Sequence, residues 1–113
     1  MINQQLVIAI ARRSGASQDE VMAAFRESVA QDMEHLRIAA ADRARVALHA
    51  HRLRGACEML GASAVADAAR LLEESAGSAQ GDRINDALAA LECEVQALDD
   101  LLRASGSDGA TLP

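Results

Sequence analysis

The residues best suited to chemistry sit together in His51-Arg52-Leu53-Arg54-Gly55. An exposed neutral imidazole is a good nucleophile at physiological pH. Arg54 follows one turn later on the same helical face, where a guanidinium balances the charge of an anion attached to the ring. A glycine inside a helix costs about 1 kcal/mol relative to alanine, and helical side chains lean toward the N-terminus. A side chain at Gly55 would therefore crowd the imidazole, and its absence suggests that something large must reach the ring.

Other chemistry fits the spacing less well. His49 and His51 point roughly 160° apart on a helix of ~100° per residue, with His49 on the core side. Glu58 shares the face of His51 but lies roughly 10 Å further along the axis. No pair with the three- or four-residue spacing of a helical chelate is identified, so no metal ligands are expected. There is no glycine-rich phosphate loop and hence no nucleotide site. Cys57 falls on the opposite side of the helix from His51, which excludes a cysteine–histidine pair. The chain is not expected to be an enzyme in its own right.

The elements that must present His51 are helices. Val46, Ala50, Leu53, Cys57 and Leu60 recur at 4-3-4-3 spacing and bury the side away from His51. A short first helix spans Asn3 to Arg13 and is broken by Gly15. Ser17-Gln18-Asp19-Glu20 matches a capping box and opens a helix to about Ala39 with Val21, Phe25, Val29, Met33 or Asp32, and Leu36 inward. Asp42 caps the central helix, which runs to Leu60 and stops at Gly61. Ser63 is expected to cap the next helix, with Val65, Ala68, Ala69 and Leu72 inward. Gly77 to Gly81 reads as a loop. Asp82 is expected to cap a last helix, whose Ile84, Leu88, Leu91, Val95, Leu98 and Leu102 form a regular seam. After Arg103 the composition predicts a flexible tail. The expected architecture is all-α, an antiparallel up-down four-helix bundle with a short extra N-terminal helix: one domain over residues 1–104 and a tail over 105–113.

Composition agrees. The 113 residues contain no Trp or Tyr, one Phe and one Pro, with half the chain hydrophobic. Such Ala- and Leu-rich chains favour close-packed helices over sheets. The formal charge of -6 and a pI near 4.9 argue against nucleic acid or an anionic membrane as partner. Cys57 and Cys93 are both expected as buried, reduced thiols. No signal peptide or membrane span is visible, and a cytoplasmic setting is expected.

His51-Arg52-Leu53-Arg54-Gly55, then Leu60-Gly61, Val65 and Leu72-Glu73, resembles the signature of the histidine-containing phosphotransfer (HPt) domain. The helix order resembles that family from about Asn3 to Arg103. Arg54 stands where Lys is more common, and Val65 where Leu is. The resemblance implies a phosphorelay intermediate in two-component signalling. His51 would take a phosphoryl group from an aspartyl phosphate on a response-regulator receiver domain and pass it to another receiver. It implies attack by Nε2, with the Nδ1 proton held by a polar side chain at Glu73. The receiver would supply Mg²⁺, so the domain needs no cofactor of its own. Docking would fall on Ala44, Ala47, Leu48, Met59 and Ala62, with an exposed Leu48 at its centre.

Two other classes stay open on the residues alone. One is a helical interaction module that keeps His51 as a degenerate phosphorylation site. The other is a homodimer zipped along the last helix's seam, although that seam also suits the inside of a bundle and a monomer. A domain excised from a sensor kinase is expected slightly over a free-standing protein.

Overall fold

A computed structural model describes residues 2–78 and 82–111, and the side chains of those except Asp82 and 105–111. Five helices account for it: α1 (Gln4–Ser14), α2 (Gln18–Ile38), α3 (Arg43–Met59), α4 (Ser63–Gly77) and α5 (Asp82–Thr111). No strand occurs among the described residues.

Local signals set most of the boundaries. Asn3 opens α1, its side-chain oxygen accepting from the Gln5 and Leu6 amides. Gly15 closes it with φ 72°, a left-handed conformation that glycine adopts without a Cβ penalty. Ser17 and Glu20 form the reciprocal capping box at the start of α2. Those two bonds hold the Glu20 carboxyl below the ordinary value of 4.5. Asp42 accepts from the Arg45 amide at the start of α3. Ser63 does not cap α4, contrary to expectation. Ala62 occupies the cap position with no side-chain bond, because the chain needs only Leu60 and Gly61 to turn the corner. Gly77 is the last residue of α4 rather than part of a loop. The expected loop at 79–81 lies outside the described residues, as does the side chain of Asp82, whose backbone is the first residue of α5. The backbone of α5 continues past Arg103 to Thr111. Gly106 and Gly109 disfavour a helix there without forbidding it, and the only proline follows at Pro113.

Each helix sends apolar side chains into one core, with no polar residue buried among those described. Leu36 of α2, Leu53 of α3, Leu72 of α4 and Leu91 of α5 are fully buried, as is Val7 of α1. Burying each leucine contributes about 1.5–3 kcal/mol. Phe25 and Met33 join them, and Asp32, the alternative to Met33 in the stripe, is only half-buried. The helix neighbours are α1 on α2, α2 on α3, α3 on α4 and α4 on α5, with a lighter contact between α2 and α5. Arg26–Asp99 (3.1 Å) and Arg37–Glu92 (3.4 Å) tie α2 to α5 across that lighter contact. Both pairs are solvent-exposed enough to contribute at most about 1 kcal/mol each. The most extensive packing is α3 on α4, and Ala50 of α3 and Ala69 of α4 are both fully buried. Small side chains let two helix backbones approach closely. On α5, Ile84, Leu91 and Leu98 are buried and Leu88, Val95 and Leu102 pack against them. The seam therefore faces the inside of the molecule.

Cys57 is buried and its thiol is pushed up to about 12, chiefly by desolvation, which makes it inert. Cys93 is exposed, not buried. It falls two residues after Leu91 and two before Val95, between the turns that form the seam.

The end of α3 is fastened to the start of α1. The Asn3 amide donates to the Leu60 carbonyl at 2.7 Å. Gly61 has φ 76°, and a Cβ there would lie 2.7 Å from Asn3 Cβ. Gly15 has nothing within 4 Å of the same position. Gly61→Ala should thus lose about 2 kcal/mol or more, from backbone strain plus the clash, and Gly15→Ala about 1 kcal/mol from strain alone. Urea denaturation of both variants checks the order; equal losses would mean the Asn3 contact carries nothing.

Candidate functional site

The helix α3 separates two jobs by face. Val46, Ala50, Leu53 and Cys57 are at most 1% exposed, while the His51 side chain is 60% exposed. Burial of the first face therefore fixes the direction of the second. Packing of α4 on α3 brings Glu73 to His51: the ring nitrogen Nδ1 lies 3.0 Å from Glu73 Oε2. Arg54 completes the group. Its Nη1 is 3.1 Å from Glu73 Oε1 and its Nε is 3.6 Å from Glu58 Oε1. Oε1 is out of solvent with no hydrogen bond of good geometry, so Arg54 balances its charge without saturating it.

One contact decides the tautomer. Arg54 Nη2 also approaches His51 Nδ1, at 3.3 Å. Nδ1 cannot donate to Glu73 and accept from Arg54 together. A carboxylate only accepts and a guanidinium only donates, and the shorter contact, to a charged acceptor, is the stronger. Nδ1 therefore carries the proton and donates to Glu73. In the neutral ring this leaves Nε2 with its lone pair, on a side chain that is largely in solvent. Such a nitrogen can attack an electrophile without first losing a proton.

The residues singled out in the sequence fall into three groups. His51, Arg54 and Glu73 come together, although the direct Arg54–Glu73 ion pair was not foreseen. Ala44, Ala47, Leu48 and Met59 keep surface exposure, Leu48 at 48% and Met59 at 62%. Met59 borders an apolar groove with Ile10, Val21 and Phe25, toward the α1–α2 side. Ala62 is only 1% exposed and offers no docking surface; it is packed at the corner between α3 and α4. Gly55 also needs a different explanation. A Cβ there would meet nothing within 4 Å, because the ring leans toward Glu73 and away from it. The space beside Gly55 is open, and the glycine is not needed to make room for the imidazole.

A second group was missed. Asp32, His35 and His49 converge where α2 meets α3. The rings of His35 and His49 meet at a tilt of 35° with centroids 4.8 Å apart. Asp32 and His35 have the three-residue spacing of a helical pair, contrary to the expectation that no such pair exists. His49 lies toward the core side and is half-buried, and its Nδ1 is buried without a hydrogen-bond partner. Burial, then His35 and Arg52, hold His49 below its ordinary value of 6.5. Burial raises Asp32 above 3.8 against the pull of His49, His35 and Arg52.

A family model described as the Hpt domain matches residues 20–106. That is well over half of the 113 residues, and the chain belongs to the Hpt domain family. Hpt domains are helical phosphocarrier modules that work with receiver domains in the phosphorelays of two-component signalling. No curated protein and no solved structure matches the chain. Among the described residues no helix is long and apolar enough to cross a membrane.

Gly55→Ala separates folding from partner access. Inside the domain it removes a helix-interior glycine and meets open space, so stability should rise by about 0.5–1 kcal/mol. Transfer from a phosphorylated receiver should slow. Stopped-flow or gel-based transfer beside urea denaturation tests both halves, and unchanged transfer would remove Gly55 from the partner-facing surface.

Proposed function

We propose that His51 is the phosphoryl acceptor of this Hpt domain, with Glu73 holding its ring and Arg54 holding Glu73. The observation that carries the reading is the 3.0 Å contact of His51 Nδ1 with Glu73 Oε2. In the forward step Nε2 attacks the phosphorus of a receiver aspartyl phosphate. An N–P bond forms, the P–O bond to the aspartate breaks, and the carboxylate leaves. The ring gains positive charge while keeping its Nδ1 proton, and Glu73 offsets that charge through the same hydrogen bond. The reverse step delivers the phosphoryl group to another receiver. Phosphoryl transfer depends mainly on positioning and charge neutralisation, which is what these three side chains supply.

The receiver brings Mg²⁺ and the acidic pocket, and the Hpt domain needs no cofactor for transfer. Docking uses Ala44, Ala47, Leu48 and Met59 around His51, with Leu48 as the anchor. The helices α2 to α5 act as an antiparallel up-down bundle in a cytoplasmic monomer, free-standing or as part of a sensor kinase. The seam of α5 faces the core, which favours this over a dimer zipped along that helix.

Transfer from an aspartyl-phosphorylated receiver tests the assignment. The wild type should acquire an acid-labile, base-stable phosphate and His51→Gln none. Glu73→Gln keeps an acceptor oxygen for Nδ1, whereas Glu73→Ala keeps none. Rates should fall in the order wild type, Glu73→Gln, Glu73→Ala, with a loss of about tenfold or more at the end of the series. Label on His51→Gln would move the site to another histidine. Leu48→Asp should weaken receiver binding while leaving the fold intact, and normal uptake by that variant would place the dock elsewhere.

A further inference from the structure

The cluster behind the phosphotransfer face has the makings of a metal site. Asp32 and His35 lie one helical turn apart on α2, on one face. His49 reaches them from α3, pointing roughly 160° away from His51. One donor atom from each of the three lies within 4.8 Å of the others. A tetrahedral site with bonds near 2.0–2.1 Å puts its donors about 3.4 Å apart. The donors therefore lie within about 1.4 Å of that spacing, and one of the three side chains is exposed. The buried, unpartnered Nδ1 of His49 is an independent sign, since a buried polar atom without a partner is rare in folded proteins.

We propose that Asp32, His35 and His49 bind a divalent transition-metal ion of the zinc class, with water completing the shell. Two imidazoles and one carboxylate suit zinc and its neighbours and suit Mg²⁺ poorly. Exposed His35 opens the site to solvent. Arg52 and Arg45 act on His49 as nearby positive charges and oppose the ion, while Asp32 offsets one charge. The ion joins α2 to α3 on the side opposite the phosphotransfer face. It is a structural clamp that leaves His51 free, and it stands whether or not His51 carries phosphate.

The full chain, stripped with chelator, is titrated with zinc chloride by calorimetry and then melted. One ion per chain is expected, with Tm raised by about 4 °C or more at a hundredfold excess over Kd. Imidazole ¹H–¹⁵N resonances of His35 and His49 should shift and those of His51 should not. His35→Ala changes an exposed residue and keeps the fold, so it should bind about tenfold or more weakly, as should Asp32→Asn. His51→Gln and Cys93→Ser should bind as the wild type does. Absence of uptake overturns the site. So does uptake that survives both His35→Ala and Asp32→Asn, or uptake that is lost with His51→Gln or Cys93→Ser.

Discussion

The His51–Glu73 hydrogen bond joins two helices, and the rest of the molecule is arranged so that it can form. His51 comes from α3 and Glu73 from α4, 22 residues later. Neither helix can place its side chain without the other. The contact depends on the packing of α3 on α4, the most extensive between any two of the described helices.

The same helix carries the core and the chemistry without conflict because the two occupy opposite faces. Leu53 is fully buried two residues from largely exposed His51. Stability resides in Leu36, Leu53, Leu72 and Leu91, one from each of four helices, and no polar or charged residue among those described is fully buried. The charged residues that touch His51 lie at the rim, where an incoming partner can displace water from them. Gly55 follows the same division: it weakens the helix slightly and contributes nothing inside the domain.

Much of this was legible in the sequence, because local rules set it. The capping box at Ser17 and Glu20, the stop at Gly61 and the outward direction of His51 follow from spacing and backbone preference alone. The chemistry of Glu73 was suggested by the family resemblance, and its distance from His51 needed the fold. What was not legible required contacts between helices. The Arg54–Glu73 pair and the meeting of Asp32, His35 and His49 depend on which faces of α2, α3 and α4 adjoin. Cys93 and Ala62 were misplaced for a related reason. Periodicity gives a direction around one helix, but burial depends on what packs there. Gly55 was expected to keep the imidazole uncrowded, and the open space around it shows that a Cβ there would not touch the ring.

Nitrogen-15 NMR of the His51 ring in the unphosphorylated domain tests the arrangement most directly. An imidazole's tautomer is set by the bond its other nitrogen makes. The Glu73 contact predicts the neutral ring as the Nδ1–H form, with an unprotonated Nε2 resonance that shifts toward the Nε2–H form in Glu73→Ala. An Nε2–H ring in the wild type, unchanged by Glu73→Ala, would mean that Glu73 does not orient the nucleophile.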